Sequence, residues 1–177
     1  QQASYYANNS GLMSYLGSLS IISDPVMTPT FADIDNDGDL DYLAGEYMYT
    51  PGSYSYSLGF HFQENIGSAT NPNFANPVIN PYGLTAYAPT LPNLGIRQHQ
   101  KFIDIDNDGD FDIISNVLGI DIGSYPYEFS SNFVYYENIG TPSNPQFSTP
   151  TVNQFGLTSS PTIVYTTFGD IDNDGDT

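Results

Sequence analysis

The seven-residue string Asp-Ile-Asp-Asn-Asp-Gly-Asp occurs three times in this 177-residue chain, at Asp33–Asp39, Asp104–Asp110 and Asp170–Asp176. With the trailing Asp41 and Asp112, the copies hold 14 of the 20 acidic residues. Each of the first two copies therefore packs five carboxylates into nine residues. Like charges at that density repel, and a folded chain keeps them only if something neutralises them. An Asp-rich turn that binds nothing is the bland alternative, and threefold repetition argues against it.

A hard dication meets the requirement. In the first copy Asp33, Asp35 and Asp37 stand at positions 1, 3 and 5, Gly38 at position 6 and Asp41 at position 9. Alternation along a curling backbone turns every second side chain inward, and the glycine permits the sharp turn that brings later ligands round. Asp39 at position 7 is expected to offer its backbone carbonyl, with its side chain at the margin of the site or in solvent. The second copy repeats the pattern with Asp104, Asp106, Asp108, Gly109, Asp110 and Asp112, and the third has Asp170, Asp172, Asp174 and Asp176. Oxygen ligands without Cys or His favour calcium over zinc or copper. One Ca2+ per loop gives two complete sites and an incomplete third, because Thr177 is its position 8. An EF-hand would need Glu at position 12 and flanking helices. Position 12 is Ala44 or Ser115, and neighbours such as Phe102-Ile103 and Ile113-Ile114 are strand formers.

Outside the copies, six acids face two bases, Arg97 and Lys101, so the remaining surface is polar and nearly uncharged. The formal charge of −18 excludes nucleic-acid binding through a basic surface. Three Ca2+ would bring it to about −12. No run approaches the roughly 20 apolar residues of a membrane helix, so no membrane insertion is expected. Cysteine is absent, which removes any disulfide framework. Calcium is abundant outside cells, and loop sites of this kind fill at about 0.1–1 mM, which argues for a secreted or cell-surface protein. No secretory leader stands at Gln1–Ser10; a start without Met fits a processed end or a fragment.

Other landmarks recur in step with the acidic string, whose copies are 71 and 66 residues apart. Gly52-Ser53-Tyr54 returns as Gly123-Ser124-Tyr125, and Glu64-Asn65-Ile66-Gly67 as Glu137-Asn138-Ile139-Gly140. Asn71-Pro72-Asn73-Phe74 returns as Asn144-Pro145-Gln146-Phe147, and Gly83-Leu84 as Gly156-Leu157. The unit is about 70 residues long. Its texture is all-β, about four strands to a unit: 29–32 and 98–103 lead into the loops, 41–49 and 112–118 leave them as apolar runs, and 58–64 and 132–137 alternate aromatic with polar residues. A Pro-rich stretch then supplies a short outer strand. Residues 1–24 read as the tail of a preceding unit or an N-terminal strand, since Asn9-Ser10-Gly11-Leu12 resembles Pro81–Leu84. Units follow at 25–95 and 96–161, and 162–177 opens a third that is cut inside its loop, with Asp expected next.

The phrase Phe-x-Asp-Ile-Asp-Asn-Asp-Gly-Asp-x-Asp, followed by an aromatic strand, Glu-Asn-Ile-Gly and Asn-Pro-x-Phe, resembles the FG-GAP/VCBS repeats of bacterial surface and secreted proteins, from about Gly11 onward. Such repeats are similar to the calcium-bearing blades of the integrin α-subunit propeller. The resemblance implies four-stranded antiparallel blades of β-propeller type, each with Ca2+ in the hairpin loop between its first two strands. It makes Asp33, Asp35, Asp37, the Asp39 carbonyl and Asp41 the ligands, with their counterparts in the other copies. A closed propeller takes about four to eight blades, whereas this chain has two full units and two part-units. A fragment of a longer propeller, closure by oligomerisation and an open head-to-tail array all fit.

Nothing in the chain points to an enzyme. His61 and His99 lie in no nucleophile motif, and no Gly-x-Ser-x-Gly is present. His61 aligns with Val134, which marks a packing or surface position. Arg97, His99 and Lys101 form the one basic cluster; they offset nearby aspartates or hold an anionic glycan or carboxylate. Tyr47, Tyr49, Tyr54, Tyr56, Tyr125, Tyr127, Tyr135 and Tyr136 gather between the second and third strands, where Tyr suits sugar stacking, protein interfaces and packing between blades alike. The hairpin tips Gly52–Ser57 and Gly123–Ser131 are the better binding candidates, with Tyr54, Tyr56, Tyr125 and Tyr127 as contact residues. Two functions follow: a calcium-stabilised extracellular module for adhesion or recognition of glycan or protein, or a structural subunit of a filament or matrix that self-associates.

Overall fold

The apolar runs that leave the first two acidic strings become the inner strands of two sheets. The computed structural model describes residues 28–50, 55–85, 87, 95–121, 123, 125–126, 128–162 and 164–169. Its elements are β1 (Thr28–Ala32), β2 (Asp41–Thr50), β3 (Ser55–Gln63), β4 (Val78–Ile79), β5 (Gly95–Ile103), β6 (Asp112–Asp121), β7 (Glu128–Tyr136) and β8 (Thr151–Val152). They make two four-stranded antiparallel sheets, β1-β2-β3-β4 and β5-β6-β7-β8. The expected all-β class with four strands per unit is observed, and no helix occurs among the described residues. The expected preceding tail, residues 1–24, lies outside the described residues.

The long hairpins extend further than the aromatic alternation suggests. Pairing of β2 with β3 runs from Tyr42↔Gln63 to Thr50↔Ser55, so Ser55, Tyr56 and Ser57 belong to a strand. In the second unit β6 reaches Asp121 and pairs with Glu128 at the start of β7. An antiparallel ladder is held by main-chain bonds and tolerates small polar side chains, so these Ser-rich segments continue it. The tips are correspondingly shorter than Gly52–Ser57 and Gly123–Ser131.

One core joins the sheets. Ile34, Leu43, Phe60, Phe62 and Leu84 of the first unit meet Ile113, Val117, Val134, Tyr136 and Phe147 of the second. Phe60 and Tyr136 pack edge to face at 5.2 Å. Alternate residues turn the other way into separate clusters, Tyr42, Ala44 and Phe74 on the first sheet and Ile103, Ile114 and Tyr135 on the second. Residues 112–119 of β6 are therefore buried without interruption, because both faces of the strand are covered. His61 is fully buried against Tyr42 and Gln63, the packing role that its alignment with Val134 suggests.

The sheets approach most closely where β2 meets β5. A Cβ on Gly45 would lie 2.8 Å from the Gln98 carbonyl and 2.9 Å from Gln98 Cβ, so no larger residue fits. Polar bonds cross the same seam: Thr28 Oγ1 donates to the Gln98 carbonyl at 2.6 Å, and Gln100 Nε2 donates to the carbonyls of Leu43, at 3.2 Å, and Thr28. Truncating the core beside this seam tests its weight. Phe60→Ala should lower unfolding free energy by about 3–5 kcal/mol in urea titrations, whereas Val78→Ala on exposed β4 should change it by about 0.5 kcal/mol or less.

Candidate metal centres

β1 ends at Ala32 and β2 begins at Asp41, so the first acidic string is the loop of a hairpin; β5 and β6 enclose the second in the same way. The loops are folded by their own carboxylates. Asp33 Oδ1 accepts Asp37 N–H at 2.9 Å and its Oδ2 accepts Gly38 N–H at 3.0 Å, while Asp37 Oδ1 accepts Asp39 N–H at 3.1 Å. Asp104 and Asp108 make the corresponding bonds to Asp108, Gly109 and Asp110 at 3.1, 3.0 and 3.1 Å. Gly38 and Gly109 take φ of +98° and +95°, which side chains disfavour. The outcome is two matching cradles. One oxygen from each of Asp33, Asp35 and Asp37 lies within 4.8 Å of the others, as does one from each of Asp104, Asp106 and Asp108, so either triplet can hold a metal ion.

The closing aspartates have a second task that spacing within the string does not reveal. Asp41 Oδ1 accepts the backbone N–H of Asn65 at 2.8 Å, and Asp112 Oδ1 that of Asn138 at 2.7 Å. Each Asn then folds its own turn: Asn65 Oδ1 accepts Gly67 and Asn73 N–H, and Asn138 Oδ1 accepts Gly140 and Gln146 N–H, all within 3.1 Å. The glycine is required because a Cβ there would come within 2.6 Å of Asn73 N in the first unit and 2.7 Å of Gln146 N in the second. Glu-Asn-Ile-Gly is thus a latch between the acidic loop and the exit of the third strand. Its recurrence was visible in the sequence, but its partner lies 24 or 26 residues away.

Burial makes these acids hard to ionise. Asp41, 3 % exposed, is pushed up to about 7 by desolvation, against the amide bonds from Asn65 and Ile34. Asp110 is pushed up to about 6 by desolvation and then by repulsion from Asp108, Asp112, Asp106 and Asp104. Asp35 and Asp39 are raised for the same two reasons. Asp112 is raised as well, although the Tyr135 hydroxyl, donating to its Oδ2 at 2.9 Å, stabilises its charged form. The first unit has Phe62 at the position of Tyr135 and lacks that donor.

Asp39 and Asp110 are buried, so of the two places expected for their side chains, the margin of the site and solvent, it is not solvent that they occupy. The turns closed on Asp37 and Asp108 carry them inward, Asp39 against the Asn65 side chain. Oδ1 of Asp35, Asp39 and Asp110 is buried without a hydrogen-bond partner. Carboxylate oxygens in that condition, beside a triplet of acids, fit a cation bound through oxygen.

Other expected residues are more scattered. Asp170, Asp172, Asp174 and Asp176 lie outside the described residues, as do Tyr54 and Tyr127. Tyr56 is in β3 opposite Tyr49, and Tyr125 is 94 % exposed beyond the end of β6. Tyr135 and Tyr136 are buried packing residues. Half-buried His99 is edge-on to Tyr165 at 4.6 Å, and desolvation, with Arg97 and Lys101 nearby, lowers its pKa. No family model, curated protein or solved structure matches this chain.

The raised acids set a pH dependence for the metal-free protein. Asp41 and Asp110 hold protons in the folded state up to about pH 7 and 6, whereas the unfolded chain releases them near its ordinary value of 3.8. Between these limits the folded state binds more protons, so stability falls as pH rises. In EDTA, Tm should be higher at about pH 5 than at about pH 7.5, and a Tm that climbs across this range would contradict the assignment.

Proposed function

We propose that this is a non-enzymatic, calcium-binding extracellular repeat protein of FG-GAP/VCBS type, whose Ca2+ ions stabilise four-stranded blades that present Tyr-rich hairpin ends for adhesion or recognition of glycan or protein. The observation that carries the calcium part is the pair of matching cradles, 71 residues apart, with buried carboxylate oxygens that make no hydrogen bond, two in the first (Asp35 and Asp39 Oδ1) and one in the second (Asp110 Oδ1). Asp33, Asp35, Asp37, the Asp39 carbonyl and Asp41 would hold the first ion, and Asp104, Asp106, Asp108, the Asp110 carbonyl and Asp112 the second. The third string would supply Asp170, Asp172, Asp174 and Asp176. Bound calcium supplies positive charge where folding has brought acids together; it carries no reaction.

A propeller-type arrangement is supported at the inner edge. Thr28, His99 and Tyr165 each stand five residues before the first Asp of their copy, and all three line one cavity of about 240 Å3. Equivalent positions of three successive repeats, two of them in the first strands β1 and β5, thus line one cavity, as they would where radial blades meet at an axis. The hairpin ends then point outward, with exposed Tyr125 at one of them. Recognition of a surface glycan or protein there suits the large flat face and single hydroxyl of tyrosine. A structural subunit of a filament is the second reading, favoured by the exposed repeat face described below.

Calcium at about 100 times its Kd would add roughly 2.7 kcal/mol per site. Chelation should therefore lower Tm by roughly 10–20 °C for two sites. The double variant Asp35→Ala with Asp106→Ala should melt, with calcium present, where the chelated wild type melts. An unchanged melting curve in EDTA, from protein shown to have been calcium-loaded, would remove the proposal.

A further inference from the structure

The far edge of the second unit repeats the surface by which the first unit holds the second. After β4, Pro81–Leu84 forms a turn closed by Leu84 N–H on the Pro81 carbonyl at 2.9 Å. The Tyr82 carbonyl then accepts Phe147 N–H at 2.8 Å and Gln146 Nε2–H at 3.0 Å, both from the Asn144–Phe147 turn of the next unit. Beneath this contact Leu84 is 3 % exposed, and the Gln146 amide fills the space over Gly83.

Gln154–Leu157 is built in the same way. Leu157 N–H closes on the Gln154 carbonyl at 2.9 Å. Asn153 Oδ1 accepts Phe133 N–H at 3.0 Å, as Asn80 Oδ1 accepts Phe60 N–H at 2.8 Å. Phe155 sits edge-on to Tyr135 at 5.0 Å, as Tyr82 does to Phe62 at 5.3 Å. Behind them Ile105, Ile114 and Phe133 hold the places of Ile34, Leu43 and Phe60. The difference lies in what covers the edge. Phe155 is 57 % exposed, Leu157 is half-buried, and no described residue comes within 4 Å of a Cβ on Gly156.

We infer that Phe155–Leu157 is a docking site for a further repeat unit, seated by an Asn-Pro-x-Phe turn whose Phe backbone N–H donates to the Phe155 carbonyl. The contact between the first two units specifies this occupant: a main-chain donor for the carbonyl, an amide side chain over Gly156 and a Phe ring beside Leu157. The inference rests on the repeat packing of the proposed function and not on its calcium.

The test uses the 15N-labelled full chain in calcium, titrated with a peptide reproducing Glu137–Ser148. The ends of the peptide are joined where Ser148 N–H meets the Glu137 carbonyl at 2.8 Å. Its turn is closed by internal bonds, from Gly140 and Gln146 N–H to Asn138 Oδ1 and from Ile139 N–H to the Gln146 carbonyl. Saturable shifts are expected at the Phe155, Gly156 and Leu157 amides. Methylating the peptide's Phe147 nitrogen should weaken binding about tenfold, the weight of one buried hydrogen bond. Absence of shifts at those amides, shifts confined to Tyr82–Leu84, or equal binding by the methylated peptide would overturn it. Any of these leaves the calcium proposal, which is read from melting, standing.

Discussion

The carboxylate that closes each acidic loop is the joint on which the unit depends. Asp41 and Asp112 end a string of like charges, yet each is buried and spends one oxygen on a main-chain amide at the exit of the third strand. That single bond ties the first hairpin to the turn that starts the outer strand. It also sets a conflict, because burial favours the protonated acid while the amides favour the carboxylate. A cation in the cradle resolves the conflict in favour of the charge. On the proposed calcium reading the ion is a structural fastening, and its loss would loosen the tie between the acidic loop and the exit of the third strand.

The two units are alike in plan and differ where their neighbours differ. The first has Phe62 and the second Tyr135, so the second closing aspartate receives a phenol hydrogen bond that the ring at the matching position of the first cannot make. His61 and Gln63 of the first unit correspond to Val134 and Tyr136 of the second, which face Phe60 across the seam. One face of each sheet contributes to the shared core, and the other carries Tyr42, Ala44 and Phe74 on the first sheet and Ile103, Ile114 and Tyr135 on the second. Packing of the two units buries residues 41–45 of β2 and 112–119 of β6 and leaves the outer strands β4 and β8 at the surface.

Much of this was legible in the residues because the governing interactions are local. Positions 1, 5 and 6 of the loop make their bonds within five residues, so spacing alone was enough to expect the cradle. Recurrence at fixed offsets was enough to expect four strands per unit. Interactions between distant segments escaped. Asn65 and Asn138 read as turn residues, and nothing in the string says that their amides are held by Asp41 and Asp112. For Asp39 and Asp110 position 7 leaves the margin of the site and solvent both open, and it is the neighbouring turn that decides for burial. The hairpins were expected to end early because Ser-rich segments carry no hydrophobic alternation, although main-chain pairing continues through them.

The most direct measurement of the fastening is a crystal structure of the full chain grown with calcium, with anomalous scattering to identify the ions. An ion is expected in each of the first two loops, bound at about 2.3–2.6 Å. Its ligands should be Asp33, Asp35, Asp37, the Asp39 carbonyl and Asp41, and the corresponding residues from Asp104 to Asp112. Loops that keep their folded hydrogen bonds with no ion at saturating calcium would contradict it.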